Sequence, residues 1–134
     1  IAVVNRSPAP AARAAALAGV RGRVGSQADV AAADLVVNAT PLGMGAGEAE
    51  RLPVDPTLLH AGQVVVDLIY HPEVTPLLAA ARGRGAVAVN GLGTLVHQAA
   101  HAFRRWTSEA PPLDVMAAVA RRGLARRDDD VNRS

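Results

Sequence analysis

Three short polar segments, each at the end of an apolar run, contain the residues best suited to binding chemistry. Asn38, Ala39 and Thr40 follow one run, Tyr70 follows the second, and Gly91 follows the third. Short apolar runs bounded by turn residues predict buried strands. In open α/β sheets, ligands bind outside the carboxyl ends of the strands. The three segments therefore predict a cofactor-binding crevice.

The residues after the first apolar run of the chain, Asn5, Arg6 and Ser7, favour an anionic ligand. In a dinucleotide-binding fold, the second strand ends beside the adenosine ribose. There an acidic residue bonds the 2′-hydroxyl of NAD, whereas an arginine accommodates the 2′-phosphate of NADP. Arg6 occupies this position, and Ser7 with Pro8 suits the start of a helix, whose amino end attracts anions. The segment predicts NADP, with an exposed arginine at a strand–helix corner as the open alternative.

Several of these residues could instead have purely structural roles. Asn38 and Thr40 are turn formers as well as candidate ligands of a ribose or diphosphate. Tyr70 suits a substrate-facing phenol, but its ring can also pack while its hydroxyl reaches water. Asp67, inside the preceding strand, is a candidate acid or base, although such a residue more often accepts backbone N–H bonds beside a turn.

One predicted helix face carries His97 and His101, four residues apart. That spacing suits a metal, but no third ligand accompanies it, so we predict no metal site. Gln98 points in another direction, where its amide could hold a polyol substrate or simply face solvent. Residues 91–93 follow a strand and open a helix but lack the third glycine of a dinucleotide fingerprint.

Strands and helices alternate along the chain and position these residues. We predict strands at 1–4, 35–38, 63–68 and 87–90, with a further short strand within 20–24. We predict helices at 9–18 and 76–84, short helical turns at 30–33 and 56–59, a helix after residue 93 and another from 113. The order predicts an α/β fold: a partial Rossmann-type parallel sheet with helical crossovers, followed by C-terminal helices. We expect a partial NADP-binding domain at 1–90, helices at 91–125 that pack on a substrate domain, and a disordered tail at 126–134.

Composition restricts the choice of partner and compartment. The net charge is +2 and all 14 basic residues are arginine, which gives no reason to expect nucleic acid or a membrane surface as partner. The absence of cysteine suits a cytoplasmic protein. No apolar run approaches the roughly 20 residues of a membrane span, and residues 1–4 are too short for a signal peptide. Because the chain lacks an initiator Met and opens inside a predicted strand, we expect further sequence upstream.

Five motifs, in order, resemble the C-terminal half of shikimate dehydrogenase. They are Asn5-Arg6-Ser7, Asn38-Ala39-Thr40-Pro41-Leu42-Gly43-Met44, Asp67-Leu68-Ile69-Tyr70, Thr75-Pro76-Leu77-Leu78, and Asn90-Gly91-Leu92-Gly93 with the helix that follows. This family reduces 3-dehydroshikimate to shikimate with NADPH, in the chorismate pathway to aromatic amino acids. The resemblance implies a cofactor-binding set of Asn5, Arg6, Ser7, Asn38, Ala39, Thr40, Leu68 and Gly91. It implies that Tyr70 and Gln98 bind the substrate.

The chain departs from the family pattern in four ways. It has no lysine, so the family's proton-transfer Lys and Asp pair lies outside it, as does the Gly-rich diphosphate loop. Thr94 stands where many relatives have Met, and Pro10 where they have a second arginine, for which Arg13 is the nearest substitute. We therefore expect this chain alone to be inactive.

Two rival functions stay open. One is a paralogue that acts on quinate or another cyclic polyol, with NAD as its cofactor. The other is a non-catalytic NADP-binding or interaction remnant. An unpaired position in the predicted sheet is also a route to self-association, so a homodimer is among the expected assemblies.

Overall fold

The computed structural model describes residues 1–44 and 51–131, and side chains as far as residue 126. The strands are β1 (Ala2–Val3), β2 (Arg23–Val24), β3 (Leu35–Asn38), β4 (Val64–Asp67) and β5 (Val87–Val89). The helices are α1 (Pro8–Ala16), α2 (Ala28–Ala31), α3 (Pro76–Gly83), α4 (Leu92–Thr107) and α5 (Leu113–Val131). Single 3₁₀ turns lie at Gly19–Arg21 and Pro56–Leu58. The predicted alternation of strands and helices is confirmed.

All described strand pairs are parallel. β1 pairs with β2, and β3, β4 and β5 form a three-stranded sheet in that order. A dinucleotide-binding sheet has the strand order 3-2-1-4-5-6. If β1 to β5 correspond to strands 2 to 6 of that order, the β1–β2 pair and the β3–β4–β5 sheet lie on either side of the position of strand 1. Asn38 lies in register with Asp67, and both residues end their strands at the same edge of the sheet. The predicted parallel sheet thereby brings two of the polar segments side by side.

The core lies on one face of the three-stranded sheet. Its buried residues are Val30, Val36, Leu59, Val65, Leu77, Ala81 and Ala86. The prediction that these strands are buried holds on one face only, because β3 and β4 alternate between buried and more exposed residues. Leu35 is 56% exposed and Val87 60%, and both belong to the opposite face. β1 is also not buried as expected, since Ile1 beside it is 76% exposed. α3 covers only one face of the sheet, whereas parallel sheets are normally covered on both.

The residues that precede α1 and α3 differ in whether their side chains cap the helix. Thr75 precedes α3, and its hydroxyl accepts a hydrogen bond from the Leu78 backbone N–H at 3.3 Å. Ser7 precedes α1 as predicted, but its side chain makes no capping hydrogen bond, and α1 ends at Ala16 rather than residue 18.

The last two helices pack against each other. α4 ends at Thr107, and the next residue, Ser108, caps it in the left-handed conformation at φ 63°. Trp106, near that end, is 83% exposed. The expected tail from residue 126 is helical to Val131 because α5 continues through it, while residues 132–134 lie outside the described residues. In the described part of the chain, no helix is long and apolar enough to cross a membrane.

Candidate functional site

A cleft of about 410 Å³ opens where β3 and β4 end. Two of the polar segments predicted to form a crevice contribute to its wall, one after each strand. The described residues that line it are Thr40, Pro41, Met44, Leu68, Ile69, Tyr70 and His71. Tyr70 is 37% exposed, so the ring is partly packed and partly open to the cleft. The mixed wall of apolar side chains, a phenol and an imidazole suits a small organic ligand.

The turn after β3 is held by the buried side chain of Asn38. Its Oδ1 accepts hydrogen bonds from the Thr40 backbone N–H at 3.0 Å and from Thr40 Oγ1 at 2.7 Å. Its Nδ2 donates to the Leu42 carbonyl at 3.4 Å and to Asp67 Oδ1 at 3.0 Å. These bonds use both donors and both lone pairs of the amide. Asn38 thus forms the turn, whereas Ala39 and Thr40 are the exposed residues of the segment. Direct contact of Asn38, Ala39 or Thr40 with a cofactor stays a prediction.

Asp67 ties the ends of β3 and β4 to α3. Its carboxylate is fully buried and accepts from the Ile69 backbone N–H at 3.1 Å and from Thr75 Oγ1 at 2.6 Å, besides Asn38. The interpretation that Asp67 accepts a backbone N–H beside a turn is confirmed. Its bonds to Asn38 and Thr75 were not predicted, because 29 and 8 residues separate these pairs along the chain.

Gly91 brings the third polar segment to the same edge. Its backbone N–H donates to the Ile69 carbonyl at 3.0 Å. A Cβ at position 91 would lie 2.0 Å from the Leu68 carbonyl oxygen, closer than real Cβ atoms come. Only glycine permits this approach without movement of the backbone. The three predicted segments therefore meet at one site, since Gly91 contacts the residues that line the cleft.

The predicted phosphate-binding segment lies at the carboxyl end of β1, on the other sheet. Asn5, Arg6 and Ser7 are all exposed. The first turn of α1 contains Pro8 and Pro10, which lack backbone N–H donors. An anion at this helix start would depend on Arg6, the Ser7 hydroxyl and a single N–H of the intervening residue.

Proteins with known names are similar to this chain in sequence and in fold. A family model described as the shikimate 5′-dehydrogenase C-terminal domain matches residues 91–121. A curated shikimate dehydrogenase (NADP(+)) from Methanocella arvoryzae is 40% identical over 130 residues, which cover 92% of this chain and 48% of that protein. Over most of its length this chain is similar to shikimate dehydrogenases. It spans less than half the length of the curated shikimate dehydrogenases that it matches.

Solved structures of the family agree with the fold. Shikimate 5-dehydrogenase from Thermus thermophilus, in complex with NADP(H) and shikimate, matches with a TM-score of 0.82 and 34% identity over 92% of this chain and 46% of that one. Quinate dehydrogenase from Corynebacterium glutamicum, in complex with NAD, matches with a TM-score of 0.78 and 34% identity over 87% of this chain and 44% of that one. The second match is relevant because quinate was an open alternative substrate.

The remaining candidates lie on α4, away from the cleft wall. Gln98 is exposed on this helix, and it is not among the described residues that line the cleft, so its substrate contact stays a prediction. His97 and His101 border a shallow depression of about 100 Å³ between α4 and the start of α5. Among residues 1–44 and 51–126, whose side chains are described, no group of three or more His, Asp or Glu side chains is placed to hold a metal ion.

Proposed function

We propose that this chain forms the NADP-binding half of a shikimate dehydrogenase, an oxidoreductase that reversibly reduces 3-dehydroshikimate to shikimate with NADPH. The convergence of three motif segments at one cleft, at the carboxyl ends of parallel strands, carries this proposal. Such an edge is where dinucleotide-binding folds hold their ligands. The names of the relatives and the five motifs that resemble the family support this choice of substrate and cofactor.

The chain's own residues suit an NADP cofactor. Arg6 offers a guanidinium where the 2′-phosphate of the adenosine ribose is expected, and the exposed Ser7 adds a hydroxyl at the start of α1. The apolar side chains of Met44, Leu68 and Ile69 form a cleft wall that excludes water from a flat heteroaromatic ring. When bound, the cofactor supplies the hydride of the reaction.

The role of this half is to bind and orient, which brings reactants into an attack geometry. Tyr70 is the substrate-facing residue of the cleft, and Gln98 on α4 is a second proposed contact. The proton-transfer Lys and Asp pair that the family resemblance implies is not within this chain. Turnover therefore needs more of the protein than these residues.

The test is a substrate and cofactor profile of the complete polypeptide that contains this chain. Shikimate and quinate are each oxidised with NADP⁺ and with NAD⁺, and the reduced cofactor is followed by absorbance. The proposal expects the highest kcat/KM for shikimate with NADP⁺. A preference for quinate with NAD⁺ would favour the second candidate, a quinate dehydrogenase, for which the Corynebacterium structure is the supporting match. Absence of turnover with every pair would favour a binding or interaction module.

We also propose a cytoplasmic location and a homodimer. The open sheet face, which includes Leu35, Val37, Val87 and Val89, is an apolar surface of the kind that associates. Small-molecule substrate is the proposed partner, rather than nucleic acid or membrane. Sedimentation velocity over a range of protein concentrations tests the dimer, and a monomer at every concentration contradicts it.

A further inference from the structure

In the described part of the chain, only Asp67 has a side chain that is shown to bond the turn after β3, the cleft segment after β4 and the start of α3. Among the described residues, it accepts from Asn38 after β3, from the Ile69 backbone in the cleft wall, and from Thr75 at the start of α3. Asp67 and Thr75 are fully buried, Asn38 is 4% exposed and Ile69 is 6% exposed. Asp67 does not itself line the cleft, so any effect on a ligand passes through these neighbours.

We propose that Asp67 is a positioning residue for the cofactor-binding cleft. Through Asn38 it fixes the turn that presents Thr40, and through the Ile69 N–H it fixes the segment that presents Leu68 and Tyr70. A site held in its binding conformation before the ligand arrives pays less ordering entropy on association. The inference rests on the proposed function, because the ligand of the cleft is taken to be NADPH.

Gln63 provides a matched control at the opposite end of the same strand. It immediately precedes β4 and is as fully buried as Asp67. Its Nε2 donates to the Val30 and Ala33 carbonyls at 2.7 and 2.9 Å, and its Oε1 accepts from the His60 N–H at 2.9 Å. Gln63→Ala therefore removes three side-chain hydrogen bonds, one buried and two partly buried, whereas Asp67→Ala removes three buried ones. The Gln63 bonds lie at the end of β4 remote from the cleft.

The first readout is the affinity of each variant for NADPH, measured by calorimetry. The urea midpoint of each variant is measured as well, so that affinities are compared at known stability. We expect Asp67→Ala to weaken NADPH binding about tenfold or more, whereas Gln63→Ala, at a similar loss of stability, weakens it less than about twofold. Equal effects of the two variants on affinity would overturn the proposal, since both would then reflect stability alone.

Thr75 gives a milder test if Asp67→Ala does not fold. Thr75→Val keeps the shape but removes the hydroxyl that donates to Asp67, and Thr75→Ser restores it. The proposal expects weaker NADPH binding for Thr75→Val and recovery for Thr75→Ser. The same affinity in both Thr75 variants would contradict it.

A second readout needs no ligand. The Thr40 amide bonds Asn38 rather than Asp67, so its hydrogen exchange reports order transmitted through Asn38. We expect faster exchange at Thr40 in Asp67→Ala than in Gln63→Ala, and equal rates would overturn the positioning role. If the complete wild-type polypeptide folds but binds no NADPH, the proposed function fails, and this exchange comparison still decides whether Asp67 orders the turn.

Discussion

The α-carbon of Gly91 packs against the backbone carbonyl of Leu68, so that a Cβ at position 91 would lie 2.0 Å from that oxygen. Since Leu68 lines the cleft and Gly91 precedes α4, this contact joins the start of the C-terminal helices to the cleft wall. The neighbouring bond from the Gly91 N–H to the Ile69 carbonyl holds the same junction.

Gly91→Ala should lower the free energy of unfolding, because residue 91 packs against the backbone of the cleft wall. The new methyl group meets backbone rather than a flexible side chain, so we expect a loss on the order of 1–3 kcal/mol in the free energy of unfolding. Urea denaturation measures it. Gly93→Ala is the control, because a Cβ there has no neighbour within 4 Å. Because Gly93 is the second residue of α4, Gly93→Ala should be neutral or stabilising by up to about 1 kcal/mol. Equal losses in both variants would contradict the account.

Local signals made part of this structure predictable from the sequence. β3, β4 and the start of α3 follow from short apolar runs and from Thr75-Pro76, each of which acts within a few residues. The bond from Asn38 to Asp67 depends on which strands are neighbours, which no local pattern contains. The exposure of Leu35 was also mispredicted, because an apolar run indicates a strand but not what covers it.

Arg6→Ala should weaken NADPH binding without changing the affinity for NADH. Arg6 is the proposed partner of the 2′-phosphate, which NADH lacks, and the two prolines of the first α1 turn leave few other donors. A charge-assisted contact of about 1.5–3 kcal/mol corresponds to a loss of roughly ten- to a hundredfold in affinity. Calorimetric titration of both cofactors measures it. Arg82→Ala, which removes an exposed arginine in the last turn of α3, is the matched control and should have a smaller effect.

Asp29 should make stability depend on pH in the acid range. Its hydrogen bonds from Arg23 and the Ser26 N–H lower the pKa of Asp29 from 3.8 to about 2. Because the folded pKa is the lower one, the stabilisation is present above about pH 4 and is lost as the pH falls towards 2. Urea midpoints of wild type and Asp29→Asn should therefore differ at pH 5 and converge near pH 2. A constant difference over that range would count against this linkage.

Tyr70→Phe should affect catalysis more than stability. The ring is retained while the phenol that faces the cleft is lost, so we expect kcat/KM for shikimate in the complete enzyme to fall roughly tenfold. The free energy of unfolding should change by no more than about 0.5 kcal/mol. Steady-state kinetics beside urea denaturation separates the two. An unchanged kcat/KM would remove Tyr70 from the proposed substrate contacts.

The most direct test of the central claim is calorimetric titration of NADPH, with NADH as the comparison, into this chain and into the complete polypeptide that contains it. The account predicts binding of NADPH in preference to NADH by the complete polypeptide, with weaker binding by the chain alone, because the Gly-rich diphosphate loop of the family is not among its residues. A well-folded complete polypeptide that binds neither cofactor would contradict the assignment of this cleft and of Arg6 to NADP.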